Sequence, residues 1–420
     1  MKDCVINDCA AFIGIDWANT KHDICLQAAG SERIEHYVLS HSPERIEAWA
    51  RELEQRFSGD PIAVCLELSK GPIVSALQKY AFLVLFPVNP ATLNKYRQAF
   101  APSGAKDDPT DAALQLELLR RHPDKLKPLH PERPQVRALQ QLVDSRRRLA
   151  QDKTRIVNRL TQALKNYYPQ PLEWFANKDT KVFCDFIDTW PNLTKVKSAR
   201  PTTLTKFFNA HNVRRTDRVE QRIGAIKAAI PLTIDPGIVL PNQLLAQSLI
   251  AQLRTTIACI ATFDDEIARL TSQLPDAPLF TSLPGAGPVL APRLLAAFGE
   301  QRERFENAAE LQKVSGVAPV TERSGQKTWV HWRWACTTNI RQSFVEWDGE
   351  TIPRSVWAKA FYQQQINKGV THHAALRALA FKWIRILYRC WKTHTPYDET
   401  TYLKALQKRG SPLLERIAHP

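Results

Sequence analysis

Residues 11–29, AFIGIDWANTKHDICLQAA, decide the fold class. Two apolar runs of strand length, AFIGIDW (11–17) and DICLQAA (23–29), flank the polar ANTKH, which is the pattern of a β-hairpin. EHYVLSH (35–41) supplies a third strand, and 43–57 carries Ile46, Trp49, Leu53 and Phe57 on one helical face. IAVCLEL (62–68) is a continuous apolar strand with one charge, IVSALQKYA (73–81) has a helical pattern, and LVLFPV (83–88) is another strand of the buried type. Three meandering strands followed by alternating helices and strands specify an α/β sheet of mixed direction.

At 420 residues the chain needs two or three domains, and 44% hydrophobic residues suffice for real cores. The 57 Lys+Arg against 42 Asp+Glu leave +15, which calls for a polyanionic partner, nucleic acid first and an anionic membrane surface second. The opening MKDCVINDCAAFIGIDW lacks the apolar run of a signal peptide, and no stretch reaches about 18 uninterrupted apolar residues. A cytoplasmic protein with no membrane span is therefore expected. The eight cysteines are scattered with no CxxC pair, as for reduced thiols.

From Pro134 to Tyr168 the pattern changes to that of a long helix. Leu139, Leu142, Leu149, Ile156, Leu160 and Leu164 approach a seven-residue repeat, and the stretch holds eight Lys/Arg against two Asp. Arg146, Arg147, Arg148, Lys153 and Arg155 are candidate nucleic-acid contacts, with a solvated basic face of a coiled coil nearly as good an explanation. A second apolar-periodic stretch from Asn242 to Leu274 can pair with the first as an antiparallel coiled coil, with 170–240 as a mostly helical insertion. The expected division is 1–130 for the α/β domain, 131–275 for the coiled-coil helices and insertion, 276–400 for a mostly helical C-terminal domain with a possible strand at 328–334, and 401–420 for a tail.

Four carboxylates draw attention. Asp16 ends a hydrophobic strand, where burial without a counter-charge is costly, although a turn residue leading into the hairpin explains it equally well. Glu67 interrupts an otherwise apolar strand and needs a cation or an exposed edge. Asp108-Pro109-Thr110-Asp111 is a good helix start, with Asp at the N-cap and Pro at the first helical position. The same spacing brings Asp108 and Asp111 to one face, where they could serve a metal. An Asp on the first strand, a Glu on a central strand and acids at a later helix start follow the carboxylate order of ribonuclease-H-like nucleases. Such hard oxygen donors suit Mg²⁺, and two ions about 4 Å apart assist phosphoryl transfer.

LPGAGPVLAPRLLAAFG (283–299) has the form of a helix-hairpin-helix turn, in which Gly285 and Gly287 let backbone N–H groups approach a phosphate; an ordinary helix–helix turn is the plainer alternative. VSGVAPVTERSGQKTW (314–329) contains Ser315 and Ser324, each followed by Gly. Most such serines form turns, but one in a basic loop can attack a phosphodiester. Lys327 is the evident base in that loop, with phosphate contact as its plainer role.

Together FIGIDWANTKHDICL, VCLELSKGP, AKDDPTDA, LPGAGPVLA, FENAAELQKVSGVAPVTERSG and TTNIRQSF resemble the insertion-sequence one-ten family of bacterial transposases, which includes Piv-type DNA invertases. The resemblance runs over about 11–170 and 278–400, and YDETTYLKAL (397–406) also looks like the family. It implies a RuvC-like DEDD domain, a coiled-coil segment and a C-terminal transposase domain with a nucleophilic serine. It further implies Mg²⁺, with Mn²⁺ as substitute, a structured bridge RNA that pairs with donor and target DNA, and a homo-dimer or tetramer, nucleoid-associated in action. By that likeness Asp16, Glu67, Asp108 and Asp111 are the DEDD carboxylates and metal ligands, with Asp107 standing where the family has Thr or Ser. Ser324 matches the serine that forms a phosphoserine link to DNA, and Ser315 does not. The rival functions are a Piv-like invertase or RuvC-like nuclease acting with water, and a non-catalytic nucleic-acid-binding protein.

Overall fold

The computed structural model describes residues 6–100 and 108–414, with the side chains of Asn7, Phe100 and Asp108 left out. The chain forms two compact units, Met1–Pro131 and Glu132–Pro420.

The first unit is built on a five-stranded mixed sheet of order β3-β2-β1-β4-β5. Its strands are β1 (Ala11–Trp17), β2 (Lys21–Ala28), β3 (Ile34–Ser40), β4 (Ile62–Leu66) and β5 (Leu83–Pro87). The first three pair antiparallel, whereas β1–β4 and β4–β5 are parallel. This is the mixed sheet expected from the sequence. Helices α1 (Pro43–Arg56), α2 (Pro72–Leu77), α3 (Pro90–Phe100) and α4 (Asp108–Arg121) complete the unit. The second helix is shorter than the 73–81 pattern, because only Ile73, Val74 and Leu77 are buried on it and the chain must turn into β5.

The central strands are apolar on both faces because both faces are covered. Ile13 and Ile15 of β1, with Val64 and Leu66 of β4, pack against Ile46, Trp49 and Leu53 of α1 and Val74 and Leu77 of α2. Phe12, Cys25, Ala63, Cys65 and Phe86 of the opposite face pack against Leu93 of α3 and Ala112, Leu116 and Leu119 of α4. Gly14 is the one gap in that second face, and α4 fills it with backbone: a Cβ at Gly14 would lie 2.0 Å from the Ala112 carbonyl oxygen and 2.6 Å from the Leu116 nitrogen. A glycine inside a strand marks such close approach. Gln115 locks the contact, its Oε1 accepting from the Ile15 N–H at 3.1 Å.

The second unit opens with α5 (Pro134–Tyr167), continues through α6 to α10 (Pro171–Trp174, Lys181–Thr189, Leu193–Ser198, Pro201–Ala210, Thr216–Ala228) and returns along α11 (Pro236–Ser272). The two long helices run antiparallel, joined by Arg146–Asp264 towards one end and by Asn166–Asn242 at the other. Each end enters a separate core. Ile156, Leu160 and Leu164 join Leu249 and Leu253 and the aromatic residues Phe175, Phe183, Phe186 and Phe208. Val136 and Leu139 join Ile267 and the C-terminal helices. By length and mean hydropathy α11 alone among the described helices is long and apolar enough to cross a membrane.

The remaining elements are α12 (Ala277–Thr281), α13 (Gly287–Phe298), α14 (Ala308–Val314), β6 (Val320–Ser324), β7 (Lys327–His331), α15 (Thr338–Thr351), α16 (Val356–Asn367), α17 (His372–Lys392) and α18 (Glu399–Lys408). Four tryptophans are fully buried here, and each indole N–H finds an acceptor: Trp347 on the Pro284 carbonyl, Trp357 on the Tyr397 hydroxyl, Trp383 on Thr351 Oγ1 and Trp391 on the Gly299 carbonyl. Large rings with satisfied polar tips combine apolar burial with fixed orientation. The strand expected at 328–334 is one arm of an antiparallel hairpin, and its partner β6 carried no apolar pattern because nearly all of its side chains face solvent.

The Gly14 contact makes a sharp prediction. Gly14→Ala forces α4 off the sheet, because the clash is with backbone that cannot rotate away, and it should destabilise the protein by about 3 kcal/mol or more in urea unfolding. Unchanged stability would mean that α4 does not rest on β1.

Candidate active site

The strand register brings the first two carboxylates together. Asp16 lies near the C-terminal end of β1, and the β1–β4 pairing ends at Ile15↔Leu66, one step before Asp16 and Glu67. Adjacent strands lie roughly 4.8 Å apart, so the two residues emerge side by side. Glu67 stands just beyond β4 and not inside it, which relieves the burial cost that its place in an apolar strand implied. Asp23 of β2 is in register with Asp16 on the other side.

Alternation along the strands puts Asp16 on the face of Phe12 and Gly14, the one that α4 covers. The thiols beside Gly14 register the local charge. Burial pushes Cys25 up to about 11 with Asp23 adding to it, and burial pushes Cys65 up with Glu67 adding to it. Asp23 and Glu67 thus lie close enough to the two thiols to act on them.

Helix α4 runs antiparallel to β1, since Pro109 lies by Cys25, Ala112 and Leu116 by Gly14, and Arg120 over the Phe12 ring. Its N-terminus thus lies towards the Asp16 end of the strand. Asp108 is the first residue of α4, with its side chain outside the described residues, as are Lys106 and Asp107. Asp111 is buried and ion-paired to Arg97 of α3, whose Nε donates to Oδ1 at 2.7 Å. A second guanidinium nitrogen of Arg97 also reaches Oδ1, at 2.5 Å. Gln115, a turn beyond Asp111, is fully buried with Nε2 lacking a partner among the described residues.

Among the described residues no three of His, Cys, Asp and Glu are grouped closely enough to hold a metal. The donor chemistry nevertheless fits Mg²⁺: Asp16 and Glu67 are hard oxygen donors at neighbouring positions.

The second unit holds Ser324 at the end of β6, exposed and in register with Lys327 across the Gly325 turn. The register puts Ser324, Glu322, Lys327, Trp329 and His331 on one face of the hairpin. His331 Nε2 meets Glu322 Oε1 at 2.8 Å, and the carboxylate raises the histidine's pKa. Lys327 is thus not the only basic group on that face, and the sequence reading missed His331. Ser315 is fully buried, its hydroxyl donating to the Gln312 carbonyl, as suits a turn former.

Gly285 has φ +75° and a Cβ there would lie 2.6 Å from the Glu350 carbonyl oxygen, so contact with α15 accounts for that glycine; around Gly287 there is open space. Of the basic residues on α5, Arg146 pairs with Asp264, Lys153 with Asp179 and Arg155 with Asp152. Arg147 donates to Gln342, and Arg148 is exposed.

Two family models match the chain in order. One, described as "Transposase", covers residues 13–169, and the other, "Transposase IS116/IS110/IS902 family", covers 277–363. The chain belongs to the IS110 family of transposases. Among its relatives, the "Mini-circle putative transposase for IS117" of Streptomyces coelicolor is 27% identical over 420 residues, covering 97% of this chain and 98% of the relative. The insertion element IS110 43.6 kDa protein of the same species, itself uncharacterized, is 24% identical over 93% of this chain and 96% of its own. The mixed sheet and the helical remainder of this transposase are those of the RuvC-like DEDD type.

The Arg97–Asp111 pair is testable by itself. Its side chains are 11% and 3% exposed, so Arg97→Ala strands a buried carboxylate and should cost roughly 3–5 kcal/mol in chemical unfolding. Adding Asp111→Ala should restore a large part of that loss. Strictly additive effects of the two substitutions would show that the pair is not formed.

Proposed function

We propose that this transposase is an insertion-sequence recombinase that cuts and rejoins DNA by serine attack with Mg²⁺ assistance, guided by a bridge RNA. The observation that carries the metal part is the adjacency of Asp16 and Glu67 at the ends of β1 and β4, on the side of the helix that starts at Asp108. Asp16 and Glu67 would hold the ion, with Asp108 and Asp111 as the family's further ligands; Mn²⁺ substitutes. When bound, Mg²⁺ neutralises charge on the scissile phosphate and activates it towards attack.

Ser324 supports the second part by its position. It stands exposed at the tip of a hairpin with Lys327 opposite, able to reach a DNA backbone. Its Oγ bonds to phosphorus as one P–O ester bond breaks, and the serine proton ends on the departing strand hydroxyl. Attack by the hydroxyl of a second strand reverses the step and frees the serine. Lys327 contacts the phosphate, and Arg147, Arg148 and the open backbone at Gly287 serve the nucleic-acid backbone, with Arg146, Lys153 and Arg155 available once their ion pairs open. Gly285 is assigned to the same turn.

In this reading 1–130 is the DEDD domain, 131–275 the coiled-coil segment with its insertion, 276–400 the transposase domain and 401–420 a tail. The partners are donor and target DNA, the bridge RNA and further copies of the chain as a dimer or tetramer, in the bacterial cytoplasm.

Ser324→Ala should abolish both strand exchange and the covalent protein–DNA adduct seen by denaturing electrophoresis, while RNA binding persists. Asp16→Asn should abolish Mg²⁺-dependent cleavage. Adduct formation by the alanine variant would assign the nucleophile elsewhere. Cleavage by the wild type with no adduct at all would favour hydrolysis by water.

A further inference from the structure

At the base of the serine hairpin three elements bring an unusual group together. Trp332 follows β7, Arg341 lies on α15 and Arg377 on α17. The Arg341 guanidinium stands 4.6 Å and that of Arg377 4.1 Å from the centre of the Trp332 ring. One aromatic ring thus holds two like charges, and neither has a carboxylate partner among the described residues. Burial and the nearby Arg341 charge both lower the pKa of Arg377. Arg341 is fixed by its Nη1, which donates to the Arg333 carbonyl at 3.2 Å. Cation–π attraction holds each arginine but does nothing for the repulsion between them.

Trp334, two residues on, is 80% exposed and meets Trp332 edge-on at 6.4 Å. Val330 and Trp329 of the same hairpin are also exposed. A large aromatic ring left in water beside two unpaired guanidinium groups is poor design for a free surface and good design for a strand that brings both an anion and a flat ring.

We infer that Trp334, with the Arg341–Trp332–Arg377 stack, is a binding site for an unpaired DNA nucleotide: its phosphate sits between the two guanidinium groups and its base stacks on Trp334. This rests on the reading of the chain as a DNA-cutting transposase and adds a place where the strand beside the cut is gripped. The phosphate's charge would relieve the Arg–Arg repulsion, and guanidinium–phosphate bonds are among the stronger hydrogen bonds. Only a base outside a duplex exposes a face for Trp334, so the site distinguishes frayed or single-stranded DNA from intact helix. Ser324 pairs at the tip and Val320 with His331 at the base, so at ~3.3 Å per residue the strands carry the serine about 13 Å from the base of the hairpin, where Trp332 follows.

The test uses the full chain, a blunt DNA duplex and the same duplex with a short single-stranded tail carrying a fluorescent base analogue. Trp334→Ala should weaken binding of the tailed duplex roughly tenfold, leave the blunt duplex unchanged and abolish quenching of the analogue; Trp334→Phe should restore most of both. Arg341→Ala and Arg377→Ala should each flatten the dependence of log affinity on log salt, together by about one phosphate contact. Equal weakening of blunt and tailed DNA, or none, would overturn the site while leaving the transposase reading standing. A loss seen only with an RNA tail would also overturn it, by assigning the site to the guide. Wild-type protein that binds no DNA at any salt would overturn both.

Discussion

The close contact of α4 with β1 at Gly14 is the constraint on which the first unit depends. A sheet with apolar side chains on both faces ordinarily keeps its helices a side chain's depth away. Here one missing Cβ lets a helix backbone touch the strand, with the Ala112 carbonyl and the Leu116 nitrogen filling the space. The consequence is positional. Because α4 is seated at Gly14, its first turn lies towards the end of β1 that carries Asp16, and the buried Asp111 must be neutralised there, which Arg97 does. Gln115 fixes the angle through the Ile15 N–H. Packing, hydrogen bonding and charge therefore act on one short helix, and each makes sense only with the other two.

The second unit solves a different problem. Each end of the two long helices is buried in a core of its own, one rich in phenylalanine and the other in tryptophan. The intervening stretch carries the charged pairs, Arg146 with Asp264 and Lys153 with Asp179. The serine hairpin is the exception in this unit. Its two strands bury almost nothing, and the features that surround it are charges and exposed rings rather than core. A bare two-stranded hairpin is marginal in water.

Much of the first unit was legible in the sequence because its signals are local. Apolar runs of strand length, the hairpin signature of ANTKH and the single charge in IAVCLEL gave a mixed sheet with Asp16 near the end of the first strand and Glu67 on a central one; the structure moves Glu67 just past the end of β4, and the register brings the two side by side. What stayed hidden depends on distant partners. Nothing near Asp111 announces Arg97, and the basic run of α5 reads as a free surface until Asp264 and Asp179 fold against it. Gly14 was visible in FIGID as a glycine inside a strand, a signal of close approach that went unused. The hairpin at 320–331 was half seen, since exposed strands show no alternation. His331 lay outside the short loop searched for a base, although a strand pairing was enough to bring it to the face of Ser324.

The most direct check on the metal site proposed at the sheet end is anomalous scattering from crystals of the full chain soaked in Mn²⁺. The ion is predicted at bonding distance from Asp16 and Glu67, at the N-terminal end of α4, and absent from the same position in Asp16→Asn. Well-ordered Asp16 and Glu67 side chains without an anomalous peak between them, at saturating Mn²⁺, would contradict it.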